Sequence, residues 1–401
     1  MFPPIALDQI YVSERATIGI PFIKSYVDEQ IPQGQRKEHA LKQMIAILKQ
    51  LNCYSDIAQL QNTDLQKIQD QLLQDFGYRQ AEGSSHADTF QKNLGVTVIK
   101  NVHSQGYVCK VDVVRTPPFI YNVMEEQIAM KVYIQHDMYE SREVEIIEQF
   151  NNSHQPYLYS YIRYSNLLIL FLKQHKISFY DLMSHCIGPR KKFVYPKEKV
   201  YQGYLKIFHS MIVALEVLHN QGIVHRDLKP QNNMFDCQKQ LNSLDDLLKE
   251  DITCVIIDYD RSKKVDSEGN QTNYVCNELY RPPEGTQMKY DSSYDIWQLG
   301  FIWLLQLHEE VFKTTEIQQI DDIARIFKLK KIFQDTVNLE DRRKNYDKFV
   351  DAALKIKTYV QIDEELHQII KKMIHFNPKE RPQLLEIKLL LEKLIIQNQN
   401  N

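Results

Sequence analysis

The chain has 401 residues, 43% hydrophobic and 25% charged, with 49 Lys plus Arg against 52 Asp plus Glu for a net charge of -3. This composition excludes a mainly disordered chain. With only 12 Gly and 14 Pro it also excludes a collagen-like or linker-rich one, and the near-neutral charge gives no footprint of a nucleic-acid binder. The six cysteines, at 53, 109, 186, 237, 254 and 276, never pair as CxxC. They read as free thiols of a reducing compartment rather than as a disulfide framework or zinc site. The N-terminal stretch MFPPIALDQIYVSERATIG lacks the basic and apolar regions of a signal peptide. The longest apolar run, Leu167 to Leu172, is far short of the ~20 residues of a membrane helix. The expected location is the cytoplasm, with the nucleus or cytoskeleton as alternatives, and no membrane insertion or nucleic-acid partner is expected.

In chain order, residues 1 to about 30 carry no pattern. Leu41, Met44, Ile45, Leu48 and Leu51 share one face of a helix that begins near Lys37. Thr63-Asp64-Leu65-Gln66 reads as a capping box, followed by a stripe of Leu65, Ile68, Leu72 and Phe76 and a Gly77 suited to a C-cap. These two amphipathic helices either pack on a neighbouring domain or bind a partner. Residues 79–93 read as a linker, giving an N-terminal helical extension over 1–93. Strands are expected at Val96 to Val102, Tyr107 to Val114, Gln127 to Ile134, Tyr157 to Tyr164 and Leu167 to Leu172, with a helix from Ser141 to about Asn151. The rest is mainly helical, beginning with Lys197 to Asn220, whose Leu205, Phe208, Ile212, Leu215 and Leu218 form a buried face. Five strands with one intervening helix, then a helical half, make an α+β chain of two lobes.

The most informative string is Ile223-Val224-His225-Arg226-Asp227-Leu228-Lys229-Pro230-Gln231-Asn232. It resembles the HRDLKPxN catalytic loop of eukaryotic protein kinases at every defining position. The resemblance implies a bilobal kinase domain over 94–391, with a small lobe over about 94–172, a large one over about 173–391 and a tail over 392–401. It implies ATP and Mg²⁺ as cofactors and protein substrates. Asp227 would take the proton of the attacking hydroxyl and Asn232 would bind Mg²⁺. Lys229 would reach the γ-phosphate, as in Ser/Thr rather than tyrosine kinases. Met234 is expected on the floor of the adenine pocket, or simply in the core.

Other motifs agree with this resemblance in order, although Asp258 lies 31 residues after Asp227, farther than the family usually shows. Val255-Ile256-Ile257-Asp258-Tyr259-Asp260 resembles the DFG element, so Asp258 would be the second Mg²⁺ ligand. Asp260 replaces a glycine there, a residue that tolerates backbone angles other residues avoid. Residues 237–251 read as an inserted surface helix or hairpin. Ile128-Ala129-Met130-Lys131 resembles the VAIK strand, so Lys131 would grip the α- and β-phosphates. Glu145 is the expected ion-pair partner of Lys131, with Glu143 and Glu148 competing. Ser104-Gln105-Gly106-Tyr107-Val108-Cys109-Lys110-Val111 aligns with GxGxxGxV but keeps only Gly106, a weakened phosphate cradle. Val111 and Ala129 would cover the adenine ring.

Farther on, Tyr280-Arg281-Pro282-Pro283-Glu284 resembles YRAPE, and Arg381 resembles the buried arginine that pairs with its Glu. Asp295-Ile296-Trp297-Gln298-Leu299-Gly300 resembles DxWSxG, in which Asp295 braces the catalytic loop. Residues 271–284 align without gaps to the TxYVATRWYRAPE stretch of MAP kinases, within the group that also holds cyclin-dependent kinases. Asn277 stands where that group has a threonine. Thr272 and Tyr274 fall at the phosphorylated positions, and Arg226 would receive the phosphate. The function this implies is a Ser/Thr protein kinase switched by phosphorylation of its activation loop. Asp260, Asn277 and the depleted glycine loop keep a second reading open, a pseudokinase scaffold that binds nucleotide or partners without efficient turnover.

Overall fold

A computed structural model of the chain describes residues 10–12, 98–105, 109–115, 127–134, 143–147, 156–164, 167–187, 195–264, 278–286, 291–308, 321–356, 358 and 360–399. The helices expected between residues 37 and 76 lie outside the described residues. The chain divides into two compact units, residues 1–150 with 156–174, and residues 151–155 with 175–401. Among the described residues, no helix is long and apolar enough to cross a membrane.

The first unit is an antiparallel sheet of β1 (Ile10–Val12), β2 (Val98–Gln105), β3 (Cys109–Arg115), β4 (Gln127–Ile134), β5 (Leu158–Tyr164) and β6 (Leu167–Leu172), with α1 at 143–147. Its order is β1-β5-β6-β4-β3-β2. The five expected strands are therefore joined by a sixth, in a stretch that shows no sequence pattern. Ile10 pairs with Ile162 and Val12 with Ser160, which covers the outer edge of β5. β4 is central. Its Ile128, Met130 and Val132 alternate onto one face and are fully buried. Lys131 faces the other way, in register with Val111 on β3 and Leu170 on β6.

The second unit contains β7 (Ile177–Ser178), α2 (Phe179–Leu182), α3 (Lys197–Asn220), β8 (Ile223–Val224), β9 (Asn233–Cys237), α4 (Leu244–Lys249), β10 (Ile252–Ile256), β11 (Lys263–Lys264), α5 (Ser293–Gln306), α6 (Asp321–Asp335), α7 (Leu339–Leu354), α8 (Glu364–Met373) and α9 (Leu384–Gln399). The expected face of α3 is fully buried at Leu205, Phe208, Ile212, Leu215 and Leu218. Phe208 stacks on Trp303 of α5 with centroids 4.4 Å apart. Helix α5 is buried almost all round, as expected of an element at the centre of a helical unit. A Cβ on its Gly300 would lie 2.6 Å from Met373 Cβ, so only glycine lets α5 and α8 approach this closely.

The insertion at 237–251 is not a surface appendage. Ser243 caps α4 by accepting a hydrogen bond from the Asp246 N–H. Leu244 and Leu247 are fully buried against α3. A Cβ on Gly203 of α3 would lie 2.8 Å from Leu244 Cδ1, so the leucine occupies the space that the glycine leaves. Lys206 closes the far end of α4, donating to the carbonyls of Leu248 and Glu250. Burial lowers the pKa of that lysine.

Candidate active site

In the second unit, β8 pairs with β11 and leads directly into residues 225–233. Asp295, in the first turn of α5, accepts hydrogen bonds from the His225 and Arg226 N–H groups, both at 2.8 Å, and from His219 Nε2 at 2.9 Å. This grip holds Arg226 at φ 66, a left-handed conformation that costs a non-glycine residue about 1–3 kcal/mol. His225 donates from Nε2 to the Ile257 carbonyl at 3.0 Å and accepts the Asp227 N–H at Nδ1, 3.3 Å away. Asn232 Nδ2 donates to the Asp227 carbonyl at 2.9 Å. Asn233 Nδ2 donates to the Lys229 carbonyl at 2.8 Å. The backbone on both sides of Asp227 is thus fixed by side chains, which is how an irregular loop satisfies its buried polar groups.

Asp227 is 3% exposed, and Lys229 Nζ lies 3.0 Å from its Oδ2 and 3.9 Å from Asp258 Oδ2. The lysine therefore stands between two carboxylates. Asp258 follows the buried strand β10 and adopts φ 73, and its side chain remains 14% exposed. Asp260 is not the left-handed residue that a glycine at its position would suggest. It lies within a 3₁₀ turn over Tyr259–Arg261, and the only non-glycine residues with positive φ among those described are Arg226 and Asp258. The glycine-for-backbone argument at Asp260 therefore does not apply. Met234 lies in β9, half-buried, in register with Val255 and Ser178. As donors, the Asp258 carboxylate and the Asn232 side-chain Oδ1 suit a hard cation such as Mg²⁺, because Asn232 spends its side-chain nitrogen on Asp227.

In the first unit, Lys131 is 6% exposed and pairs with Glu143, Nζ lying 3.0 and 2.9 Å from its two carboxylate oxygens. Tyr133 donates to the same carboxylate at 2.5 Å. The ion-pair partner is thus Glu143 and not Glu145, which is exposed. The reason is helical geometry. Residues 143, 146 and 147 share a face, whereas residues two apart point away from each other. Glu143 lies with the buried Ile146 and Ile147. Ala129 is half-buried on β4, and Ser104 and Val111 lie in β2 and β3. Gly106 lies outside the described residues, as do Thr272, Tyr274 and Asn277.

Flanking the segment of Thr272 and Tyr274, several expected anchors meet. Arg381 binds Glu284 through both terminal nitrogens, at 2.5 and 2.7 Å, and its Nε donates to the His375 carbonyl. Arg226 is 1% exposed, and its Nε donates to the Arg261 carbonyl at 2.7 Å, a partner the sequence did not reveal. Ser262 is fully buried and donates to the His225 carbonyl. Burial pushes the Tyr280 phenol well above its ordinary range.

Sequence reasoning missed Gln298, His219 and Asn233 as holders of the loop, and Tyr133 as a second donor to Glu143. A buried-face reading of the short helix, placing Glu143 with Ile146 and Ile147, would have found the ion pair. Nothing local marks the other four.

A family model described as a protein kinase domain matches residues 119–390. Over 196 residues the chain is 30% identical to mitogen-activated protein kinase HOG1 of Wallemia muriae, covering 46% of this chain and 63% of that protein. It is 24% identical over 271 residues to cyclin-dependent kinase F-4 of Oryza sativa subsp. japonica, covering 66% of this chain and 54% of that protein. It is also 24% identical over 263 residues to serine/threonine-protein kinase MAK of Homo sapiens, covering 64% and 39% respectively. The chain spans less than two thirds of the length of each of these relatives.

Proposed function

We propose, from the premise that the chain belongs to the protein kinase domain family, that it is a Ser/Thr protein kinase of the group containing MAP and cyclin-dependent kinases. The observation that carries this reading is the constellation around Asp227: a buried carboxylate on a fixed backbone, with Lys229 at 3.0 Å and Asn232 anchored to its carbonyl. Asp227 accepts the proton of a substrate hydroxyl as its oxygen bonds to the γ-phosphorus and the bond to the departing ADP oxygen breaks. Lys229 offsets the negative charge of the transferring group. Lys131, oriented by Glu143, would hold the α- and β-phosphates, and Ser104, Gly106, Val111 and Ala129 of the first unit and Met234 of the second are the residues that the family resemblance assigns to the nucleotide. Asn232 and Asp258 would hold Mg²⁺, whose charge neutralises the phosphate oxygens. Phosphates on Thr272 and Tyr274 order the segment between residues 261 and 280, with Arg226 as a receiver. The N-terminal extension over residues 1–93 would offer a surface to a protein partner.

The test is transfer of γ-labelled phosphate from Mg-ATP to a degenerate peptide library, before and after phosphorylation of Thr272 and Tyr274. Label on serine and threonine, increased by that phosphorylation, supports the reading. Stabilisation of the phosphorylated protein by Mg-ATP in a thermal shift, with no label transferred, leaves the nucleotide-binding scaffold instead.

A further inference from the structure

Gln298 stands where the DxWSxG pattern has a serine. It lies on α5, three residues after Asp295, so the two side chains leave the same face of the helix. Its side chain is fully buried and uses both ends of its amide. Oε1 accepts the Leu228 N–H at 3.0 Å. Nε2 donates to the Arg226 carbonyl at 3.3 Å and to the Tyr280 carbonyl at 3.1 Å. Leu228 and Arg226 are the two neighbours of Asp227. Tyr280 is buried and leads into Arg281-Pro282-Pro283-Glu284, the segment fixed through Glu284 by Arg381.

We infer that Gln298 is a positioning residue that ties the backbone around Asp227 to the segment ending at Tyr280, so that the placement of one sets the placement of the other. The inference rests on the phosphoryl-transfer role proposed for Asp227. The chemistry favours this link over simple core filling. A glutamine amide offers two donor hydrogens and an acceptor, and here the partners are one N–H and two carbonyls. A serine hydroxyl has one donor hydrogen and could not serve both carbonyls at once. A buried polar side chain with every group matched fixes one arrangement of its neighbours, because any slip leaves a buried group unpaired. Among the described contacts, Asp295 holds the loop from the same helix but does not reach Tyr280. Arg381 also ties Glu284 to the Ser293 carbonyl at the start of α5, but Gln298 is the side chain that bonds directly to the backbone of both segments among the described contacts.

The experiment compares full-length wild type with Gln298→Met, which keeps the shape and loses the bonds, and Gln298→Ser, which restores the serine of the motif. Peptide phosphorylation kinetics are read together with amide hydrogen exchange of peptides covering residues 225–230 and 278–286. For Gln298→Met, kcat falls roughly 10- to 100-fold, as expected when a reacting group is misplaced by a fraction of an ångström, while KM for ATP stays within about threefold. Exchange speeds up in both segments together, and Gln298→Ser lies between the two. Unchanged kcat per folded molecule, or faster exchange confined to one of the two segments, overturns the inference. If the wild type transfers no phosphate, the proposed function fails, and the exchange data still decide whether the two segments are coupled. If Gln298→Met does not fold, Gln298→Ser carries the same comparison.

Discussion

The two units hold their functional side chains in opposite ways. In the sheet unit, among the described contacts, Lys131 is held by the carboxylate of Glu143, reached from a short helix and also bonded by Tyr133. In the helical unit, Asp227 is positioned through its backbone, with Asp295, Gln298, His225 and Asn232 each holding a neighbouring N–H or carbonyl. The first arrangement is a single buried ion pair that disappears with either member. The second is a network in which one deletion leaves the other bonds in place.

That contrast can be broken at its strongest point. Asp295→Ala orphans two buried backbone N–H groups at about 1–3 kcal/mol each, so the helical unit should lose roughly 2–6 kcal/mol in denaturant unfolding. A loss under 1 kcal/mol would mean that the loop does not depend on α5. Glu143→Ala removes the buried carboxylate that both Lys131 and Tyr133 bond to, and should cost about 3–5 kcal/mol in the sheet unit. It should also reduce kcat/KM on the order of 10²-fold, while Glu145→Ala stays within about twofold. Equal effects of the two substitutions would show that the register of α1 is wrong. Ser262→Ala removes one buried hydrogen bond and should cost about 1 kcal/mol, with peptide KM unchanged.

The smallest effect is an alkaline one. Burial raises the pKa of Tyr280 and Tyr346 in the folded state. The unfolded chain ionises these phenols from about pH 10, whereas the folded one keeps them neutral. Their contribution is thus fully present below pH 10 and lost as pH rises above it. Tyr280→Phe should flatten the fall in stability between pH 10 and 11 measured by urea unfolding. An unchanged slope would place the titration elsewhere.

How much of this was legible in the sequence follows the same division. The loop at 223–232 is one contiguous string, so its residues could be named directly. The bounds of β4, β6 and α3 matched their apolar patterns because each lies in one piece. Glu143 stayed a competitor behind Glu145 because the choice between them depends on which helix face meets the sheet. The pairing of Ile10–Val12 with β5 was invisible because three residues carry no periodicity and their partners lie some 150 positions away. Gln298 acts on residues 18 to 72 positions distant. The leucines of α4 read as surface because the glycine that receives them lies on another helix.

The central claim is that Asp227, held on this fixed backbone, is the base of a phosphoryl transfer. Its most direct test is labelled-phosphate transfer from Mg-ATP by wild type and Asp227→Asn in parallel, with ATP affinity measured for both. Transfer should fall on the order of 10³-fold or more with ATP affinity nearly unchanged. Transfer by Asp227→Asn equal to wild type would contradict the account.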